Sequence, residues 1–202
     1  MPSRDYHEAI WEALPEDLQP ERFALRLRFL LEHVRPGERV LDLGSGEGKF
    51  SAELLRGGAQ VLAADVAEEP LRRARERVAG LETQLVEAEG GWPLPDASFD
   101  TVWAGEVIEH VADTAAWLSE VRRVLRPGGV LLLSTPAHGR RQMLRLALSR
   151  RAFAERMDPL GEHLRFYSRE TLSRLLQEFR FERVRVSRAD GLLLASAVRS
   201  RF

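Results

Sequence analysis

The sequence predicts an α/β fold, a three-layer sandwich in which a mostly parallel sheet carries helices on both faces. Three observations support it. Between residues 39 and 136, short apolar runs rich in branched residues alternate with longer helical patterns, and such alternation builds βαβ units with parallel strands. Glycine or Pro-Gly turns punctuate these runs at 44–48, 57–58, 90–91 and 127–129. The chain then ends differently, with a helix and two apolar runs around Asp190-Gly191. That ending reads as a hairpin, which completes a seven-stranded sheet with an antiparallel C-terminal strand.

Residues Tyr6 to Leu14 and Pro20 to Val34 read as helices. In the second, Phe23, Leu27, Leu30, Leu31 and Val34 recur at helical spacing, and Pro36-Gly37 stops it. Both are expected to cover one sheet face, with Tyr6 and Trp11 as candidates for a pocket mouth. The run R-V-L-D-L from Arg39 is a buried strand that Gly44, Gly46 and Gly48 break before a helix from Phe50 to Arg56. Strands follow at Gln60–Ala64, Gln84–Val86, Phe99–Ala104 and Val130–Ser134. Helices fall at Ala67–Val78 and Thr114–Leu125. Beyond the fifth strand, Arg140 to Arg151 reads as one basic amphipathic helix, and a polar stretch runs to Glu162. Ser168 to Phe179 is a helix with Ser168 as its N-cap, followed by the hairpin Phe181–Ser187 and Leu192–Val198. The whole reads as a single domain over 1–202. It divides into N-terminal helices (1–37), a core (38–136), an inserted cap (137–166) and the closing helix and hairpin (167–202).

Composition narrows the function classes. A hydrophobic fraction of 44% beside 30% charged residues suits a folded domain. The formal net charge of -1 gives no overall pull toward nucleic acid, so none is expected as a partner. With no cysteine, thiolate metal sites and cysteine nucleophiles are excluded. No apolar window reaches the length of a membrane span and the start lacks a signal-peptide core, so a cytoplasmic monomer or homodimer is the expectation. Lys49 is the only lysine among 30 basic residues. Arginine clusters are therefore a compositional habit before they are a signal.

A strand, a glycine turn and a helix cradle a nucleoside ligand, because glycine permits close backbone approach and the helix start offers free N–H groups. The dinucleotide pattern G-x-G-x-x-G would place its third glycine at Lys49; the spacing here is G-x-G-x-G. Asp42, two residues before Gly44, repels a pyrophosphate and welcomes an ammonium group. Asp65, at the end of the second strand, is placed to accept hydrogen bonds from ribose hydroxyls.

Together D-L-G-S-G-E-G, Asp65-Val66, P-L-P-D-A-S-F-D, G-E-V-I-E-H-V and R-P-G-G, in this order, resemble the class I S-adenosylmethionine-dependent methyltransferases, most of all their ubiquinone-biosynthesis-like branch. The resemblance is dense from Arg39 to Pro136 and implies a Rossmann-like fold with S-adenosylmethionine as cofactor. It implies that the methionine part lies over Gly44, Ser45 and Gly46, with Asp42 near the ammonium and a carbonyl from Gly105. It further implies Asp65 on the ribose, Val66 on the adenine, and Glu89 and Gly90 at the adenine edge. Relatives often carry an Asp near that loop, where this chain has Ala88 between two glutamates.

The implied reaction passes the sulfonium methyl to a small-molecule nucleophile, oxygen first. Alignment and exclusion of water supply much of the catalysis. Candidate bases are Glu106, Glu109, His110 and His138. On a helix, Glu106, Glu109 and His110 would share one face at i, i+3 and i+4 and could hold a hard divalent ion. In some members of the resembled family this segment is associated with a metal and in others it is metal-free, so no metal is expected. Arg140, Arg141, Arg145, Arg150, Arg151 and Arg156 are candidates for an acidic substrate, and the apolar side of that helix could cover a hydrophobic substrate or rest on a membrane. The alternatives are a nicotinamide-dependent oxidoreductase, which Lys49 opposes, and a non-catalytic cofactor-binding partner protein.

Overall fold

In the computed structural model, which describes residues 4–156, 158 and 163–201, β1 (Arg39–Leu43) is the axis of the sheet. It pairs in parallel with β2 (Gln60–Asp65) on one side and β4 (Phe99–Gly105) on the other. β3 (Glu82–Leu85) extends the sheet beyond β2, and β5 (Leu125–Pro136) follows β4, both parallel. β7 (Leu192–Arg199) runs antiparallel to β5, and β6 (Phe181–Ala189) closes that edge antiparallel to β7. The order is β3-β2-β1-β4-β5-β7-β6. The order reverses direction between β1 and β4, and at such a switch point the strand ends splay to leave a ligand crevice.

The period-2 alternation of the strands divides the core into two apolar layers. Leu41, Leu43, Val102, Ala104, Leu131 and Leu133 face α5 (Thr114–Val124) and α8 (Arg169–Glu178), where Trp117, Leu118, Val121, Leu172 and Leu176 are buried. Their neighbours Val40, Ala63, Trp103 and Leu132 face α2 (Phe23–Leu31), α3 (Lys49–Arg56) and α4 (Glu68–Arg77) through Leu30, Phe50, Leu54 and Ala74. Ser168 caps α8 as expected, accepting from Thr171 N at 3.2 Å. The hairpin turns on Asp190 and Gly191, both at positive φ, which matches the twist of the strands it joins.

Several expected boundaries move for local reasons. α2 starts at Phe23, not Pro20, because Arg22 adopts φ +49. α5 ends at Val124, since Leu125 already pairs with Phe99; Pro127-Gly128-Gly129 sits inside β5, where the register shifts. The single helix expected over 140–151 is two, α6 (Arg140–Ala147) and α7 (Arg150–Arg156). Ser149 starts the second, its carbonyl accepting from Phe153 N at 2.8 Å and its hydroxyl from Ala152 N at 3.3 Å. Met157 and 159–162, within the expected polar stretch, lie outside the described residues. α1 (Arg4–Ala13) buries no residue. It lines the cavity at the strand ends instead of covering a sheet face.

Candidate functional site

The turn after β1 is held from both sides. Gly44 and Gly46 have φ +70 and +52; a Cβ on Gly44 would strike Val107, and one on Gly46 would lie 2.8 Å from the Trp11 ring. Gly44 N and Ser45 N donate to Ala64 O at 2.7 and 3.0 Å. Asp65 clasps the turn from β2: its Oδ2 accepts from Gly46 N at 2.9 Å and its Oδ1 from Ala67 N at 3.2 Å. Burial raises the Asp65 pKa, against these hydrogen bonds.

Beside the turn lies a cavity of about 290 Å³. The strand ends contribute Leu43, Gly44, Asp65 and Val66 to its wall; Val86, Glu87 and Ala88 form a second side, and Glu106, Val107, His110, Val111 and Trp117 a third. α1 covers it with Tyr6, His7, Ile10 and Trp11. This helix is fastened at several points. Glu8 accepts from Glu68 N and Glu69 N at 2.8 and 2.9 Å, a favourable place for a carboxylate because these are the first free N–H groups of α4. Arg73 donates to Trp11 O and Leu14 O at 2.8 and 3.1 Å and pairs with buried Glu47. Arg4 pairs with Glu87 across the mouth at 2.7 Å.

The G-E-V-I-E-H segment is not helical. Glu106 sits at φ +61, and a turn carries His110 N to Val107 O at 2.9 Å. The i, i+3, i+4 face expected for Glu106, Glu109 and His110 therefore does not form. Glu106 points to the cavity and accepts from Ser134 Oγ at 2.8 Å, while Glu109 is 0% exposed beneath it and accepts from Thr135 Oγ1 at 3.0 Å. Burial, and then the nearby Glu106, push the Glu109 pKa up to about 8. Glu109 O accepts from Leu164 N and Arg165 N at 2.8 and 3.0 Å, which draws the end of the cap onto this turn. His163 thereby meets His110 edge to face, ring centroids 4.9 Å apart.

Of the other expected residues, Gly44, Asp65 and Val66 line the cavity. Ser45 is buried beside it, and Gly46 lies under Trp11. Asp42 is not in the cavity wall: 1% exposed, it accepts from Ser51 Oγ at 2.6 Å below the turn. Burial raises its pKa to about 6. Glu89 and Gly90 are also outside the lining, which stops at Ala88; Gly90 faces Glu120 on α5. Gly105 has its α-carbon against the Arg26 guanidinium, and His138 packs on Phe166 with centroids 4.9 Å apart.

Arg26 and His163 are among the residues of the site that sequence reasoning did not single out. Arg26 is 4% exposed, stacked on Phe50 and Trp103. Burial lowers its pKa, and the carboxylates of Glu106, Glu109 and Asp42 oppose that shift. Its position gave a signal, since 26 falls on the same helix stripe as Phe23 and Leu30. His163 gave none, because only the tertiary fold brings it to His110.

The ligand atoms of Glu109, His110 and His163 lie within 4.8 Å of one another. One carboxylate and two imidazoles replace the two carboxylates and one imidazole expected for a hard ion. That set suits a transition ion and does not fit magnesium.

The comparisons with known proteins agree with this geometry. Residues 11–186 match the family model described as a methyltransferase domain. A malonyl-[acyl-carrier protein] O-methyltransferase of Erwinia pyrifoliae is 42% identical over 112 residues, covering 54% of this chain and 42% of that protein. A ubiquinone biosynthesis O-methyltransferase of Hahella chejuensis is 36% identical over 152 residues, covering 69% of this chain and 60% of that protein. The chain thus spans about half the length of these curated relatives. Among solved structures, a methyltransferase from Methanosarcina mazei superposes with a TM-score of 0.67 at 24% identity, covering 91% of this chain and 99% of that one. The Haemonchus contortus phosphoethanolamine N-methyltransferase 2 complex with S-adenosyl-L-methionine gives 0.69 at 16%, covering 98% and 57%. At these identities the solved structures speak to the fold, and the family follows from the match over residues 11–186: the chain belongs to the class I S-adenosylmethionine-dependent methyltransferases.

Proposed function

We propose that the protein transfers the methyl group of S-adenosylmethionine to an oxygen of a small-molecule acceptor. The observation that carries the reading is the Asp65 carboxylate, which lines the cavity while clasping the glycine turn through Gly46 N at 2.9 Å. A carboxylate at that point suits two ribose hydroxyls, and the bare backbone of Gly44 at the cavity wall suits an amino-acid head group. Val66 and Val86 offer an apolar edge for the adenine. When bound, the cofactor supplies a methyl group already activated by its sulfonium charge.

The chain's own residues then align and dry the site. Ile10 and Trp11 cover the cavity and exclude water. Glu106, its pKa raised by burial, is positioned to take the proton of an acceptor hydroxyl, with Ser134 orienting the carboxylate through its 2.8 Å hydrogen bond. His110 shares that wall. Oxygen as the acceptor atom draws support from relatives that are named O-methyltransferases. No step is routed through a metal.

Incubation with methyl-labelled cofactor and a panel of phenols, carboxylic acids and amines tests the reading. Label should appear on phenols or acids, and Glu106→Gln should lower the rate about a hundredfold with S-adenosylhomocysteine affinity unchanged. Label confined to amines contradicts oxygen transfer; no label with intact cofactor binding points to the non-catalytic alternative. Transfer should also persist in a chelator. A strict magnesium requirement would contradict the reading that the Glu109, His110 and His163 donor set does not fit magnesium.

A further inference from the structure

We infer that a second cavity, between α3 and the end of α4, is a binding site for a phosphate ester. It measures about 440 Å³ and shares no wall residue with the cavity at the strand ends. Lys49, Arg56 and Arg77 give it charge, and Phe23, Ala52 and Val78 give it an apolar side. Glu53, the one acidic residue of its wall, is taken by Arg56. Three cations against one anion, beside a surface on which a ring or chain can rest, suit an anion that carries an apolar group.

An anion of the chain's own already sits on two of these cations. The carboxylate of Asp17, in the loop between α1 and α2, is shared by Lys49 Nζ at 2.5 Å and by Arg77. Hydrogen bonds from Lys49 and then Arg77 hold its pKa down at about 2, so it stays charged. Asp17 is nonetheless a weak occupant. Its side chain is 72% exposed, where an ion pair contributes little, and its backbone sits at φ +69, in the left-handed region that favours glycine. A phosphate ester brings up to two charges and three acceptor oxygens where Asp17 brings one charge and two oxygens, so it displaces the carboxylate. Lys49, the only lysine among 30 basic residues, is 14% exposed here, a corner that suits a compact ammonium over a guanidinium.

The same contacts run on to the strand ends. Asp17 N donates to Glu47 Oε2 at 3.2 Å. Glu47 lies buried in the glycine turn, paired with Arg73 at 3.2 Å and Arg77 at 2.8 Å, and Arg73 also donates to Trp11 O and Leu14 O. A phosphate that draws Lys49 and Arg77 from Asp17 therefore loosens the loop that ties α1 over the first cavity. This coupling rests on the cofactor reading above; the anion site does not.

Titration calorimetry of the full chain with phenyl phosphate tests this. Binding should saturate in the millimolar range or tighter, weaken with salt, and exceed that of inorganic phosphate or of phenol by about threefold or more. Asp17→Asn removes the competing carboxylate and should tighten binding about threefold, while Lys49→Gln should weaken it about tenfold. Glu178→Gln, the same change of charge on α8, should leave it unchanged. In the wild type, phenyl phosphate should weaken S-adenosylhomocysteine binding about threefold, to a limit that more phenyl phosphate does not exceed, and in Asp17→Asn it should have no such effect. No saturation at low salt, equal binding of phenol or inorganic phosphate, an unaffected Lys49→Gln, or tightening in Glu178→Gln equal to that in Asp17→Asn overturns the inference. An unchanged S-adenosylhomocysteine affinity overturns the coupling alone. Phenyl phosphate binding in a chain that binds no S-adenosylhomocysteine leaves the anion site standing and removes the cofactor reading.

Discussion

Replacing Asp65 by alanine is expected to weaken S-adenosylhomocysteine binding at least about a hundredfold. Two ribose hydroxyls donating to one carboxylate are charge-assisted hydrogen bonds of about 1.5–3 kcal/mol each, and about 1.4 kcal/mol is tenfold in affinity. The same carboxylate holds Gly46 N and Ala67 N. Its removal also frees the glycine turn and leaves two backbone donors unmatched, so stability should fall by about 1–3 kcal/mol. Asp65→Asn separates the two effects: the amide keeps one acceptor for the turn and loses the charge. Titration calorimetry should rank wild type above Asn above Ala. A loss below about tenfold in the alanine variant would mean that the ribose is held elsewhere.

Arg26→Met should be the most destabilising single change in the site. The guanidinium is the buried cation facing Glu106, Glu109 and Asp42, so its removal leaves buried carboxylates uncompensated, which costs about 3–5 kcal/mol. In a chain of this size that lowers the Tm by roughly 6–20 °C. The deficit should depend on pH with a definite sign. Asp42 and Glu109 already have raised pKa values, about 6 and about 8, because burial favours their neutral forms. A carboxyl with a raised folded pKa contributes stability that is present at low pH and lost as pH rises through that pKa. Without Arg26 both groups are pushed up further, so the variant should approach wild type at pH 5 and fall furthest behind at pH 8. Denaturant melts at the two pH values check this. An equal loss at both would reduce Arg26 to its stacking on Phe50 and Trp103.

The sheet and the glycine turn were legible because their signals are local. β1, β2 and β4 are short apolar runs that meet their punctuation within a residue or two, and Asp190-Gly191 is a two-residue turn whose chemistry sets its own conformation. Gly44, Asp65 and Val66 were readable for the same reason: strand ends in a parallel sheet converge on one crevice. The G-E-V-I-E-H segment misled because Glu106 takes a positive φ, which nothing in a non-glycine residue announces. Once that residue turned, Glu109 went under the site and Glu106 into it. α1 misled differently. Its pattern is helical either way, and whether it covers a sheet or a cavity depends on Glu8 reaching α4 some 60 residues on. The split of α6 and α7 turned on one serine competing for the backbone. Glu89 and Gly90 lie just outside the cavity wall, which on this loop ends one residue earlier, at Ala88.

The cofactor is the central claim, because every role given to Gly44, Asp65, Val66 and Glu106 depends on what fills the cavity. Titration calorimetry of the wild-type chain with S-adenosylhomocysteine and, separately, with NADH addresses it directly. The account predicts saturable binding of S-adenosylhomocysteine in the micromolar range or tighter, about −8 kcal/mol, and no binding of NADH. Saturable NADH binding with no heat from S-adenosylhomocysteine would contradict it.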